Sequence, residues 1–193
     1  MCSKKEIIIA GVDEVGRGSL FGPVFAAAVI LNDFNKVLLL NSGLKDSKKL
    51  SNKKISELVP IILENSQDWG LGQSSAREID AFGIRAATEK AMIRALQRLT
   101  KKPKLILVDG ILPIQQWEGK QITLIKGESK SPSIAAASVI AKASRDDLIK
   151  RLSIKFPNYG LNSNVGYGTK LHRKCINAYG PSRLHRLSFL KKI

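Results

Sequence analysis

Asp13 and Glu14 stand side by side between two apolar runs, Ile7–Val12 and Leu20–Leu31, and a third acid, Asp109, follows the short apolar run Leu105–Val108. A strand buried on both faces reads as an unbroken apolar run, so a carboxylate at its far end sits where a sheet runs out. Clustered carboxylates repel one another, and keeping several ionised in one folded site requires a compensating cation. Oxygen-only ligands select hard ions, so Mg²⁺ or Mn²⁺ is the expected occupant. Such a site supports phosphodiester hydrolysis with two metals, one activating water and the other stabilising the leaving oxygen. Taken alone, an Asp-Glu pair at a strand end is more often a solvated surface pair.

Successive side chains on a strand point to opposite faces, so Asp13 and Glu14 share a site only if the strand ends or bends between them. Gly16 and Gly18 allow such a bend. The Gly16-Arg17-Gly18 turn also lets backbone amides approach a phosphate or sugar closely, with Arg17 adding a charged fork. A hairpin turn carrying a surface arginine is the alternative for those three residues alone.

The elements that must position these groups follow from periodicity. A hairpin of strands Ile7–Asp13 and Val24–Leu31 is joined by a Gly-rich turn from Val15 to Pro23. A polar loop, Lys45-Asp46-Ser47-Lys48-Lys49-Leu50, leads to a helix capped by Ser51, with Ile55, Leu58, Val59, Ile62 and Leu63 on its apolar face and a kink at Pro60. A strand at Trp69–Gln73 precedes a helix over Ala76–Leu99, opened by the capping box Ser75-x-x-Glu78, with Ile79, Ile84, Ala87, Ala91 and Ala95 facing inward. Strands at Leu105–Val108 and Gln121–Ile125 follow. Ser131 and Pro132 open an Ala-rich helix that runs to about Ile154, and a last short helix spans Lys170–Ala178 before Gly180-Pro181. Paired strands followed by alternating helices and strands indicate an α/β fold with a mixed sheet. If the first strand is central and Leu105–Val108 lies beside it in parallel, Asp13 and Asp109 end side by side.

The 193 residues are 44% hydrophobic and 25% charged, enough for one compact domain over residues 1–193, with a basic helical extension from about residue 155. The formal net charge of +16 points to a polyanionic partner, most simply nucleic acid. After Asp147 the remaining 46 residues hold ten Lys or Arg and no Asp or Glu. Two cysteines, Cys2 and Cys175, support neither a disulfide framework nor a Cys-based zinc site, so a reducing cytoplasm is expected. The N-terminal apolar run is broken by Asp13 and Glu14 before a cleavable signal could form, and Leu20–Leu31 is too short to span a membrane. A soluble, cytoplasmic monomer is expected.

Asp13-Glu14-Val15-Gly16-Arg17-Gly18, followed by Gly22-Pro23-Val24, resembles the signature of the type 2 ribonucleases H, the bacterial ribonuclease HII family. Further stretches resemble the family's motifs in the same order, over most of the chain: Asp46-Ser47-Lys48-Lys49-Leu50, Val108-Asp109-Gly110, Lys126-Gly127-x-Ser129, Ala135 to Lys142 with Arg145-Asp146, and Gly166-Tyr167-Gly168-Thr169. The resemblance implies a ribonuclease H-like fold, with a mixed sheet of about five strands flanked by helices and a small C-terminal helical segment. It implies an endonuclease that cuts the RNA strand of RNA–DNA hybrids and nicks at ribonucleotides embedded in duplex DNA. By resemblance, Asp13, Glu14, Asp109 and Glu128 are the catalytic, metal-binding acids. Gly16, Arg17 and Gly18 match the motif that senses the ribose 2′-OH, Tyr167 the tyrosine that stacks on the neighbouring deoxyribose, and Ser47, Lys48 and Lys49 a phosphate-contacting loop. Two positions depart from the pattern: Glu128 stands where the family usually has Asp, and Val165 where many relatives have Lys. Lys142 and Asp146, spaced i, i+4, are expected to form an ion pair.

Overall fold

The computed structural model describes residues 7–44 and 50–191, so Ser47, Lys48 and Lys49 lie outside the described residues. Five strands, β1 (Ile9–Val15), β2 (Val24–Ile30), β3 (Asp68–Ser74), β4 (Leu105–Asp109) and β5 (Lys120–Leu124), form one mixed sheet in the order β3-β2-β1-β4-β5. β1 is antiparallel to β2 and parallel to β4, and β4 is parallel to β5. The expected hairpin and the expected parallel neighbour of β1 are both present.

Helices cover both faces, which is why β2 is apolar and buried at every position. The helices are α1 (Asp33–Asn41), α2 (Asn52–Asn65), α3 (Ala76–Gln97) and α4 (Pro132–Lys155). On one face α3 buries Ile79, Ala87, Ala91 and Ala95 against Ala10, Val12, Ile106 and Val108. On the other, α4 lays Ala135, Ala136, Ala137 and Ala141 against β2, and Leu39, Ile55, Leu58 and Ile62 of α1 and α2 pack outside it. Each fully buried Leu or Ile contributes about 1.5–3 kcal/mol. The alanines let α4 lie close to the sheet, and at Gly11 of β1 a Cβ would fall 2.3 Å from the Ile134 backbone nitrogen.

The C-terminal segment is docked. After α4 come α5 (Leu161–Asn164), α6 (Lys170–Tyr179) and α7 (Leu187–Leu190). Leu20 and Phe21, from the β1–β2 connection, form an apolar cluster with Ile149, Tyr159, Leu161 and Ile176.

Three local features differ from the sequence expectation. β1 continues through Asp13 and Glu14 to Val15, because its ladder with β2 extends to the Val15–Phe25 pair after the ladder with β4 has ended at Val12–Val108. Residues 33–41, left without an element between the second strand and the polar loop, form α1; the Asn32 side chain caps it by accepting from the Asn35 N–H at 2.7 Å. The helix expected over Ala76–Leu99 is broken at Gly83, whose φ of 79° and ψ of 160° are open to glycine and costly to other residues. α2 runs through Pro60, the position of the expected kink. The capping box at Ser75 and Glu78, and the Lys142–Asp146 ion pair at 2.8 Å, form as expected.

Candidate active site

The site lies where the sheet changes sense, at the C-terminal ends of β1 and β4, the position at which open α/β sheets characteristically hold ligands. Carboxylate oxygens of Asp13, Asp109 and Glu128 all lie within 4.8 Å of one another. Asp13 and Asp109 arrive there because Val12 and Val108 are paired neighbours in a parallel ladder. Glu128 arrives on a 3₁₀ turn, Gly127–Ser129, preceded by Lys126 in the left-handed region at φ 56°. The turn is tied to β4 by the Gly127 N–H, which donates to Asp109 Oδ1 at 2.7 Å. The side chain at position 128, one methylene longer than the usual aspartate, therefore still delivers its carboxylate to the other two.

Asp13 is 3% exposed and Glu128 6%. The Ser138 hydroxyl of α4 hydrogen-bonds both, reaching Glu128 Oε2 at 3.3 Å, and the Glu14 N–H donates to Asp13 Oδ1 at 2.7 Å. These bonds do not offset the crowding. Burial, then the negative charges of Glu14 and Asp109, push the Asp13 carboxyl well above the usual carboxylate range. Three acids converging on one point, one of them resisting ionisation, fit a hard divalent cation bound by oxygen.

Glu14 follows a different course. Because β1 stays extended, its side chain is on the α3 side, where it pairs with Arg17 at 3.3 Å. Both residues line an open cavity of about 470 Å³ with Asp109, Arg85, Thr88 and Met92. Glu14 is thus outside the three-acid cluster yet near enough for its charge to act on Asp13.

The Gly16–Gly18 turn and Tyr167 meet beside these acids. Ser19 and Tyr167 form an antiparallel bridge, and the Gly166 carbonyl accepts from the N–H groups of Leu20 at 2.8 Å and Phe21 at 3.2 Å. At Gly16, with φ 87°, a Cβ would fall 2.2 Å from Arg145 Nε, while Gly18 faces open space. Tyr167 is 37% exposed and its ring lies over the Arg145 guanidinium, 5.4 Å from centroid to Cζ. Val165 holds φ 41°, a strained setting for a β-branched residue, and its side chain packs on the C-terminal apolar cluster.

Two buried arginines fasten these loops. Arg145 of α4 donates to the Pro23, Val165 and Phe21 carbonyls and to Ser19 Oγ, at 3.2, 2.9, 3.2 and 2.8 Å. Arg186 donates to the carbonyls of Gly22 at 2.9 Å and Arg17 at 2.8 Å. Both are fully buried, their acceptors are uncharged oxygens, and burial lowers the pKa of each. Arg186 carries no spacing signal in the sequence, and Ser138 and Arg145 stand out there only as members of one family-like run. Asp146 and Asp147 stand apart from the acids, paired with Lys142 and Arg151 at 2.8 Å each.

Comparison with known proteins gives a consistent picture. The family model for Ribonuclease HII matches residues 10–192. The chain is 60% identical over 189 residues to a ribonuclease HII of Prochlorococcus marinus, covering 98% of this chain and 99% of that protein. Among solved structures it is similar to the ribonuclease H2 of Pyrococcus horikoshii OT3, with a TM-score of 0.81, 27% identity and 96% of each chain covered. It is also similar to the ribonuclease HII of Archaeoglobus fulgidus, solved in complex with PCNA, with a TM-score of 0.77 and 28% identity over 93% of this chain and 94% of that one.

Proposed function

Because the chain belongs to the ribonuclease HII family, and so is a ribonuclease H acting on the RNA of RNA–DNA hybrids, we propose that it also nicks duplex DNA at single embedded ribonucleotides by a two-metal-ion mechanism. The observation that carries this reading is the convergence of Asp13, Asp109 and Glu128 within 4.8 Å, beside the turn that bears Arg17.

Asp13, Asp109 and Glu128, with Glu14 at the edge, would hold Mg²⁺ or Mn²⁺. When bound, the ions supply an activated water and stabilise charge on the leaving oxygen. The chain's own groups prepare the site. The Glu14 N–H engages Asp13 Oδ1 and the Gly127 N–H engages Asp109 Oδ1, which fixes how the two carboxylates are presented. Ser138 orients Asp13 and Glu128 from α4.

Sugar recognition falls to the adjoining loops. The 2′-OH distinguishes RNA from DNA at a given position, and the Gly16-Arg17-Gly18 turn offers it backbone and guanidinium groups close to the acids. Tyr167 offers an exposed ring to the neighbouring deoxyribose. Ser47, Lys48 and Lys49 would contact phosphate, and the charge of +16 favours the duplex as a whole. The chain would act as a cytoplasmic monomer.

The test is cleavage of duplex DNA holding one ribonucleotide, with Mg²⁺ or Mn²⁺ and then with EDTA. A metal-dependent nick at the ribonucleotide, lost in Asp13→Asn, is expected. Cutting confined to long hybrids would overturn the single-ribonucleotide reading, and a nick that survives Asp13→Asn would overturn the site.

A further inference from the structure

The chain has two histidines, and they touch each other in the C-terminal apolar cluster. His172 of α6 is 0% exposed and His185, ahead of α7, 2%. Their Nε2 atoms are 3.1 Å apart, so one must donate and the other accept. The ends of the chain decide which. The Ser182 backbone N–H can only donate, and it meets His185 Nδ1 at 2.9 Å, with the Ser182 hydroxyl on the same atom at 2.8 Å. His185 Nδ1 is therefore the acceptor, and a neutral His185 carries its proton on Nε2. That N–H donates to His172 Nε2, which places the His172 proton on Nδ1. The Tyr167 carbonyl, which can only accept, lies 2.9 Å from that nitrogen. Only this direction satisfies all three contacts with both rings neutral.

From this relay we infer that His172 and His185 are positioning residues for Tyr167: a hydrogen-bond chain from Ser182 through both imidazoles fixes the Tyr167 backbone, and with it the ring, relative to the Arg17 turn. The functional part rests on the proposed role of Tyr167 at the substrate sugar. A neighbouring contact supports it. The residue after His185 is Arg186, whose guanidinium holds the Arg17 carbonyl, and His185 bridges Phe21 in the β1–β2 connection. One short segment, residues 182–186, thereby holds both loops proposed to read the sugar.

Nitrogen-15 NMR of the wild-type protein at neutral pH reads the proton order directly, and with two histidines assignment is simple. One Nδ1–H and one Nε2–H neutral imidazole are expected. Two Nε2–H tautomers, or a charged ring, would overturn the relay without recourse to any variant. Kinetics on single-ribonucleotide duplex then test the positioning. His172→Leu is expected to raise KM roughly tenfold, with a smaller change in kcat. His172→Asn, whose amide can still donate to the Tyr167 carbonyl, should recover most of the loss. In a Tyr167→Ala background the His172→Leu penalty should largely vanish. Penalties that multiply in full would overturn the positioning role. A Tyr167→Ala protein with unchanged KM would overturn the role of Tyr167 itself and the functional part with it, while the NMR result stands on its own.

Discussion

The Gly127 N–H donates to Asp109 Oδ1 at 2.7 Å, so the turn that carries Glu128 is fastened to the end of β4 by one of the acids it must join. Asp109 therefore has a structural duty beside the chemical one proposed for it, and substitutions can separate the two. Asp109→Asn keeps the acceptor and should hold the turn while removing charge. We expect activity to fall by about 10²-fold or more with thermal stability nearly unchanged. Asp109→Ala also strands the Gly127 N–H and should lower stability by roughly 1–3 kcal/mol. Cleavage assays beside urea titrations of the two variants make the comparison, and equal stability in both would refute the fastening role.

Asp13 is destabilised by its surroundings when no cation is present. It is buried, and Glu14 and Asp109 repel its charge. Neutralising it by Asp13→Asn should abolish cleavage yet raise the melting temperature of the metal-free protein by a few degrees, about 2–4 °C per kcal/mol for a chain of this size. Adding Mg²⁺ or Mn²⁺ should stabilise the wild type and leave the variant little changed. Scanning calorimetry with and without EDTA decides it, and a variant that melts lower than the wild type without metal would contradict the repulsion.

Asp13 and Asp109 are legible because each follows an apolar run that reads as a buried strand, and they meet once those two runs pair in parallel. The same strand-end logic erred at Glu14. Whether β1 stops at Asp13 depends on how far β2 runs alongside, and the Val15–Phe25 pair is a tertiary fact that no residue in 7–15 encodes. α1 carried a signal, the Asn32-Asp33 cap, but its apolar residues form the single run Val37–Leu40, too short to establish a period. Gly83 sits inside a helical pattern, where a glycine is ordinarily tolerated, and only its φ of 79° distinguishes a break from a weak spot. Arg145, Arg186 and the two histidines were illegible for one reason: each acts on backbone carbonyls or on a partner distant in sequence, and a carbonyl has no letter.

Arg145 joins four acceptors drawn from two loops. An Arg145→Lys ammonium is a compact point charge on a flexible stem and cannot reproduce the planar fork that reaches them all. We expect Arg145→Lys to cost about 2–4 kcal/mol of stability through buried acceptors left unmet, and to weaken substrate binding because Tyr167 loses the guanidinium beneath its ring. Chemical denaturation gives the first quantity and KM the second. A lysine variant with wild-type stability would show that the surrounding packing alone holds the loops.

The histidine pair should leave a mark on the pH dependence of stability. Burial lowers the pKa of His172, and burial together with the His172 charge lowers that of His185 to about 4. The Tyr167 carbonyl draws the His172 pKa the other way without outweighing burial, and around His185 pack the rings of Phe21 and Tyr159, with the buried Arg186 next to it in the chain. An unfolded histidine titrates near 6.5. Between about pH 6.5 and pH 4 the unfolded chain thus binds protons that the native chain does not, so stability present above pH 6.5 falls as pH falls through that window. Glu78 and Asp80, whose pKa values are lowered, also lose stability on acidification, but only below the ordinary carboxylate range. In melting temperatures measured from pH 7.5 to 5.5, Glu78 and Asp80 are silent and the raised Asp13 carboxyl acts alike with or without the histidines, so the difference between the wild type and a variant lacking both rings isolates them. The wild type should lose stability across that interval, and a His172→Asn, His185→Asn double variant should show a flatter profile. Parallel curves for the two proteins would mean that the buried rings accept protons without penalty.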